Sequence, residues 1–174
     1  MRTQRDLIQM KIKPKKMLNL FSYTCSVAVA AALGGATTTN VDLSNTYLDW
    51  GIENYRINNL NLENHQFLAG PCEEFVEQKP TDRYDLIFLD PPTFSNSKRM
   101  KGDFDIVEDH TSLIENTMKW LTIDGTLLFS TNKKRFKLDE HLSAKYSVKE
   151  TTALSIPEDF KNSAIHKSYE IKLA

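Results

Sequence analysis

The sequence predicts a doubly wound α/β domain: a mostly parallel seven-stranded sheet, helices on both faces and an antiparallel hairpin at the C-terminal edge. Three observations predict it. Short apolar or β-branched runs alternate with helical segments from Met17 to Ser130, and parallel neighbours need such crossovers. Polar and turn-forming residues gather where each run ends. The last two runs, Tyr146 to Leu154 and Lys167 to Leu173, have only a polar loop between them, which suits antiparallel pairing.

The elements follow in order. Met1 to Lys16 is basic and faintly amphipathic at Leu7, Ile8 and Ile12, which predicts a helix and a Lys-rich turn around Pro14. Met17 to Phe21 reads as the first strand. Ser26 to Leu33 is an Ala-rich helix stopped by Gly34 and Gly35. Ala36 to Val41 is the second strand, ending at Asp42. Ser44 is placed to cap a helix from Tyr47 to Asn58. His65 to Ala69 is the third strand, and Cys72 to Gln78 a short helix after Pro71. Tyr84 to Leu89 is the clearest buried strand and runs into Asp90-Pro91-Pro92. A helix over Val107 to Leu121 and a fifth strand over Gly125 to Ser130 complete the alternation. Residues 1–16 are thus an N-terminal helix and basic turn, and residues 17–174 the sheet domain.

At 174 residues the chain suits a single domain. Its 40% hydrophobic and 26% charged residues are ordinary for a globular protein. A net charge of −1 gives no global pull on nucleic acid, so any RNA surface is local or supplied by another domain. Cys25 and Cys72 form no CxxC pair and read as free thiols. His65, His110, His141 and His166 lack metal spacing, and no metal is expected. Trp50 and Trp120 read as core or interface. No apolar run is long enough to span a membrane, and the N-terminus lacks the apolar core of a signal peptide, so the expected location is cytoplasmic.

In open α/β sheets, ligands bind beyond the carboxyl ends of the strands. Asp42 ends the second strand, where a carboxylate can accept both ribose hydroxyls of a nucleoside cofactor. The small residues Ser22, Thr24 and Ser26 after the first strand let a ligand approach the backbone. Asp90-Pro91-Pro92-Thr93-Phe94 is the strongest motif. Two prolines stiffen the backbone, donate nothing and leave their carbonyls free. With Asp90 they can grip the amino edge of a flipped base, while Phe94 stacks on its face. Lys98, Arg99 and Lys101, and then Asn132, Lys133, Lys134, Arg135 and Lys137, place two polar or basic runs on the same rim for phosphate.

Three stretches resemble one family: Asn19-Leu20-Phe21-Ser22-Tyr23-Thr24, Val41-Asp42-Leu43-Ser44, and Asp85-Leu86-Ile87-Phe88-Leu89-Asp90-Pro91-Pro92-Thr93-Phe94-Ser95-Asn96-Ser97-Lys98-Arg99-Met100. The family is the C-terminal half of the bifunctional bacterial 23S rRNA methyltransferases of K/L type. The resemblance implies a Rossmann-like class I S-adenosylmethionine-dependent methyltransferase acting at guanine N7. It implies a cofactor site at Asn19, Phe21, Ser22, Tyr23, Thr24, Cys25, Ser26, Asp42, Leu43, Pro71, Cys72 and Asp90. Catalysis would fall to Asp90, Pro91 and Pro92, and RNA contact to Phe94, Lys98, Arg99, Asn132, Lys133, Lys134 and Arg135. It also implies 23S rRNA as partner, and a THUMP-containing half upstream of Arg2 and Arg5. Two residues depart from the family pattern. Cys25 replaces a glycine and is expected to crowd the cofactor loop; Pro71 replaces an acidic residue expected to meet the adenine amino group.

Guanine N7 has a free lone pair, so transfer to it needs no general base. Cytosine-C5 chemistry needs a cysteine after the fourth or fifth strand, and none is there. A nicotinamide dehydrogenase is disfavoured because no G-x-G-x-x-G follows the first strand. Methylation of an exocyclic adenine amine, and a catalytically degenerate RNA-binding domain, remain open on the sequence.

Overall fold

A computed structural model describes residues 14–96, 102–156 and 166–174. The predicted N-terminal helix, Lys98, Arg99 and Lys101 lie outside the described residues.

Seven strands form one sheet in the order β3-β2-β1-β4-β7-β9-β8. They are β1 (Lys16–Leu20), β2 (Thr37–Asp42), β3 (His65–Ala69), β4 (Tyr84–Leu89), β7 (Leu121–Thr131), β8 (Tyr146–Glu150) and β9 (Lys167–Leu173). The first five are parallel, while β9 runs antiparallel to both β7 and β8. A separate ribbon pairs β5 (Phe94–Ser95) with β6 (Phe104–Asp105). The helices are α1 (Ser26–Leu33), α2 (Asn45–Ile57), α3 (Cys72–Glu77), α4 (Ile106–Met118), α5 (Glu140–Lys145) and α6 (Thr152–Ser155).

The central strands of the sheet are buried on both faces, while the edge strands β3 and β8 are partly exposed. On one face Leu18, Leu20, Val41, Ile87 and Leu89 pack against Val76 of α3, Leu113, Ile114 and Met118 of α4, and Leu142 of α5. On the other, Met17, Leu86, Phe88 and Leu128 meet Val27 and Ala31 of α1. This second face also carries buried polar groups. The Asn19 amide donates to Asn40 Oδ1 at 3.1 Å, and Thr38 Oγ1 lies 2.6 Å from the Tyr55 hydroxyl. Pairing inside the sheet spares these groups the cost of burial without partners.

Several boundaries differ from the sequence expectation. The helix α4 stops at Met118, because Lys119 and Trp120 N–H bond back to Asn116 and Thr117 carbonyls while Tyr84 N–H takes the Trp120 carbonyl. Leu121 therefore begins β7 rather than ending a helix. The pairing jumps from Tyr84↔Leu121 to Leu86↔Thr126, so an irregularity interrupts that ladder. Gly125 sits there because a Cβ would come within 2.9 Å of the Tyr84 carbonyl oxygen. The strand β8 ends at Glu150 and the chain turns into α6. Trp120 is core, with its indole N–H donating to the Val76 carbonyl, whereas Trp50 is 51% exposed.

Cys25 is fully buried with φ 56, a left-handed conformation that costs a non-glycine residue energy. Its sulfur packs against α2, where a Cβ on Gly51 would meet Sγ at 2.5 Å. Gly51→Ala should therefore destabilise the fold by about 1–3 kcal/mol through overpacking. Adding Cys25→Gly should recover most of that loss, since it frees the space and relaxes the backbone. Urea titrations of both singles and the double variant measure the coupling; additive losses would contradict it.

Candidate active site

The carboxyl ends of β1, β2, β3, β4 and β7 surround a cavity of about 620 Å³, within the usual range for small-molecule and cofactor sites. Phe21 and Tyr23 line it after β1, and Asp42, Leu43 and Ser44 after β2. The first turn of α2 adds Asn45, Thr46 and Tyr47. Pro71, Cys72 and Glu73 follow β3; Asp90, Pro91, Pro92 and Ser95 follow β4; Asn132 follows β7.

Register places the two aspartates. Val41 and Leu89 both pair with Leu20, so Asp42 and Asp90 stand one residue further on, either side of Phe21. Two strand spacings separate their backbones, about 10 Å.

Asp42 holds two loops together. Its Oδ2 accepts the Tyr23 N–H at 2.8 Å and its Oδ1 accepts the Ser44 N–H at 2.9 Å. Ser44 in turn caps α2 by accepting the Tyr47 N–H at 3.3 Å. The loop after β1 has positive φ at Phe21, Tyr23 and Cys25, conformations that persist only when surroundings fix them. The fixing contacts are visible: Phe21 N–H donates to Cys72 Sγ at 3.1 Å, and Ser22 N–H to the Val41 carbonyl at 3.0 Å. The Cys72 thiol donates to the same Val41 carbonyl at 3.4 Å.

At the other end, Asp90 Oδ1 accepts the Ser130 hydroxyl at 2.6 Å. Burial raises the Asp90 carboxyl above the ordinary carboxylate range, and the Ser130 bond pulls it part of the way back. Both thiols are pushed upward by burial, Cys25 to about 12, so neither is a ready nucleophile.

The cavity thus collects Phe21, Tyr23, Asp42, Leu43, Pro71, Cys72, Asp90, Pro91, Pro92 and Asn132 from the predicted site. It does not collect Asn19, Ser22, Thr24, Cys25 or Ser26 in its walls. Asn19 points into the buried polar pairs of the sheet, and the Cys25 sulfur faces Gly51. The crowding expected from Cys25 is therefore corrected: its side chain lies against α2, away from the cavity. Phe94 is 53% exposed on the short ribbon. Lys134 and Arg135 are exposed and Lys133 half-buried just beyond Asn132. Sequence reasoning missed Asn45, Thr46, Tyr47, Glu73, Ser95 and Ser130. An available signal was Tyr47 with Trp50 at helical spacing on a polar helix. Both are exposed, and the Tyr47 ring packs edge-on to Tyr23 at 4.5 Å.

The sheet order, the antiparallel end strands and the carboxylates closing β2 and β4 around one cavity define a methyltransferase architecture. Residues 1–168 match the family model of S-adenosylmethionine-dependent methyltransferases, and the chain belongs to that family. It is 52% identical over 157 residues to a ribosomal RNA large subunit methyltransferase K/L of Legionella pneumophila, covering 90% of this chain but 22% of the relative. The same-named protein of Acinetobacter baumannii is 48% identical over 177 residues, covering 98% of this chain and 24% of the relative. The chain thus spans under a quarter of the length of these relatives. Among solved structures, SMU.776, a methyltransferase complexed with SAH, superposes with a TM-score of 0.79 at 26% identity, covering 99% of this chain and 48% of that one. A SAM-dependent methyltransferase of Agrobacterium tumefaciens has a TM-score of 0.75 at 18% identity, covering 99% and 60%, a likeness of fold.

The cofactor is S-adenosylmethionine, and the cavity suits it. Asp42 has spent one bond per oxygen on the loops, and an ionised carboxylate has about four acceptor positions, which leaves room for ribose hydroxyls. Asp42→Ala is expected to lower cofactor affinity roughly ten- to a hundredfold, about 1.5–3 kcal/mol, and to loosen the Tyr23 and Ser44 loops. Calorimetry with S-adenosylhomocysteine reads the first effect and hydrogen exchange at those amides the second. Unchanged affinity would remove Asp42 from the site.

Proposed function

We propose that the chain methylates large-subunit (23S) rRNA at guanine N7, with Asp42 holding the cofactor ribose and Asp90-Pro91-Pro92 holding the base. The observation that carries this reading is Asp90 at the carboxyl end of β4, fixed by Ser130 at 2.6 Å, on the same cavity as Asp42. The names of the relatives, ribosomal RNA large subunit methyltransferases K/L, support rRNA as the substrate class.

Bound in the cavity, S-adenosylmethionine supplies an electrophilic methyl group. The protein's part is to bring a lone pair into line with it. Asp90 presents acceptor oxygens to the N1–H and N2 amino donors of guanine, leaving N7 free. Those donors also stabilise an ionised carboxylate that burial otherwise disfavours. Pro91 and Pro92 keep the turn rigid, and their missing N–H groups leave nothing to compete for the base. Phe94, exposed at the ribbon, is placed to stack on a flipped base, and Asn132, Lys133, Lys134 and Arg135 to contact phosphate. Lys98 and Arg99 join this RNA surface in the proposal. The reading includes a cytoplasmic setting and the THUMP-containing half that the resemblance implies, whether in one chain or two.

Asp90→Asn tests the division between binding and chemistry. Cofactor affinity should stay within about threefold, roughly 0.7 kcal/mol, while methyl transfer to rRNA falls at least a hundredfold, about 2.7 kcal/mol. Stability has a sign as well. Because the folded-state pKa of Asp90 is raised, stability is lost as pH climbs from the ordinary carboxylate value through the raised one. Asp90→Asn removes that loss, so the variant should melt at or above the wild-type temperature at neutral pH, with the gain vanishing in acid. Parallel calorimetry, transfer assays and melting curves check all three. Affinity and transfer falling together would place Asp90 in the cofactor site instead.

A further inference from the structure

We propose that His110 is a positioning residue for the RNA substrate. Its imidazole is a strut that holds the basic loop after β7 at a fixed distance from the turn after β4, and so sets where the RNA backbone lies relative to the base being methylated. The inference deepens the reading of Lys133, Lys134 and Arg135 as phosphate contacts, and it rests on that reading.

Both ring nitrogens of the buried His110 are in use, and their roles are fixed. A backbone N–H can only donate, so Nε2, 3.1 Å from the Asp139 nitrogen, is the acceptor. Nδ1 therefore carries the hydrogen of the ring, and it faces the Ile106 and Val107 carbonyls at 3.0 Å each. Ile106 N–H in turn donates to the Thr93 carbonyl at 3.3 Å. The line runs from Asp139, where the basic loop meets α5, through His110 on α4, to Thr93, the residue directly after Asp90-Pro91-Pro92.

The loop over residues 132–138 needs such a hold. Arg135 has φ 58, a left-handed conformation that a non-glycine residue keeps only where its surroundings impose it. Lys133 N–H donates to Thr131 Oγ1 at 3.2 Å, and Phe136 N–H to the Lys133 carbonyl at 3.3 Å. Phe136 is buried as a plug, its ring centroid 5.7 Å from that of Phe129 on β7, and the His110 ring meets it edge-on at 4.9 Å. His110 thus touches the loop twice, at its plug and at its far end. The fold has little need of the second contact. Asp139 is exposed, so water can take its N–H, and its side chain caps α5 by accepting the His141 N–H at 2.8 Å. What the imidazole adds is a fixed placement of the basic loop relative to Asp90. Placement of this kind matters for transfer, where a shift of about 1 Å arising far from the reacting atoms can cost roughly a hundredfold in rate.

The test uses three variants of the whole chain. His110→Phe keeps a ring against Phe136 and removes both nitrogens. His110→Gln puts an amide oxygen close to the place of Nε2 and restores the acceptor for Asp139. The triple variant Lys133→Ala/Lys134→Ala/Arg135→Ala removes the charges of the loop. Each is measured for S-adenosylhomocysteine affinity by calorimetry, large-subunit rRNA affinity by fluorescence anisotropy, hydrogen exchange, and methyl transfer at saturating rRNA. The triple variant should lose rRNA affinity by about tenfold or more. His110→Phe should lose about fivefold in rRNA affinity and about tenfold in transfer at saturation. It should exchange faster over residues 132–139 but not in β1 or β4, and keep cofactor affinity within about twofold. His110→Gln should return both rRNA affinity and transfer to within about threefold of wild type. Wild-type rRNA affinity and transfer in His110→Phe would overturn the proposal. So would cofactor affinity falling in step with rRNA affinity, or His110→Gln no better than His110→Phe. Loss in the triple variant with none in His110→Phe overturns this proposal alone. Full rRNA affinity in the triple variant overturns the phosphate reading of the loop, and this proposal with it. If wild type transfers no methyl group, the reading of the reaction fails, and the affinity and exchange measurements still decide on His110.

Discussion

The site depends on one carboxylate. Asp42 takes the N–H of Tyr23 with one oxygen and the N–H of Ser44 with the other, so the loops after β1 and β2 cannot move apart without breaking a charge-assisted bond. The first of those loops carries positive φ at Phe21, Tyr23 and Cys25, none of them glycine. Such a loop stays in place only if held at several points. Asp42 holds its middle, Cys72 and Val41 its start, and the packing of Cys25 against Gly51 its end. The side chain proposed to meet the ribose is thus the one that fixes the cavity wall around it.

The two ends of the cavity are built on different physics. At Asp42 the carboxylate is satisfied by backbone donors before any ligand arrives. At Asp90 a half-buried carboxyl accepts the Ser130 hydroxyl, its one hydrogen bond among the described residues, and it is raised above the ordinary range. The first end is preorganised for binding. The second is under-satisfied and gains most from a ligand that brings donors, which is the behaviour wanted of a group that grips a base. A register in which Val41 and Leu89 share Leu20 as partner keeps the two about 10 Å apart.

Much of this was legible in the sequence, because parallel sheets bring the residues after their strands together. Asp42, Asp90, Pro91, Pro92, Pro71 and Asn132 follow strands whose ends could be read from the chain, and all line the cavity. Asn19 was misplaced for a reason of periodicity. In a strand buried on both faces, hydrophobicity does not tell which side a polar residue takes, and Asn19 turns to Asn40 beneath the helices. Cys25 was misplaced because its left-handed backbone re-aims the side chain, which no spacing rule reveals. Glu73 and Ser130 reach the cavity, or its aspartate, through tertiary placement alone. The long β7 was cut short at Gly125 because an interrupted ladder looks like a break in sequence.

The most direct measurement is nucleoside mass spectrometry of large-subunit rRNA after incubation with the protein and S-adenosylmethionine carrying an isotopically labelled methyl group. The account predicts labelled 7-methylguanosine that depends on Asp90. Label on an adenine amino group or a cytosine carbon, or no label with the full complement of RNA-binding domains supplied, would contradict it.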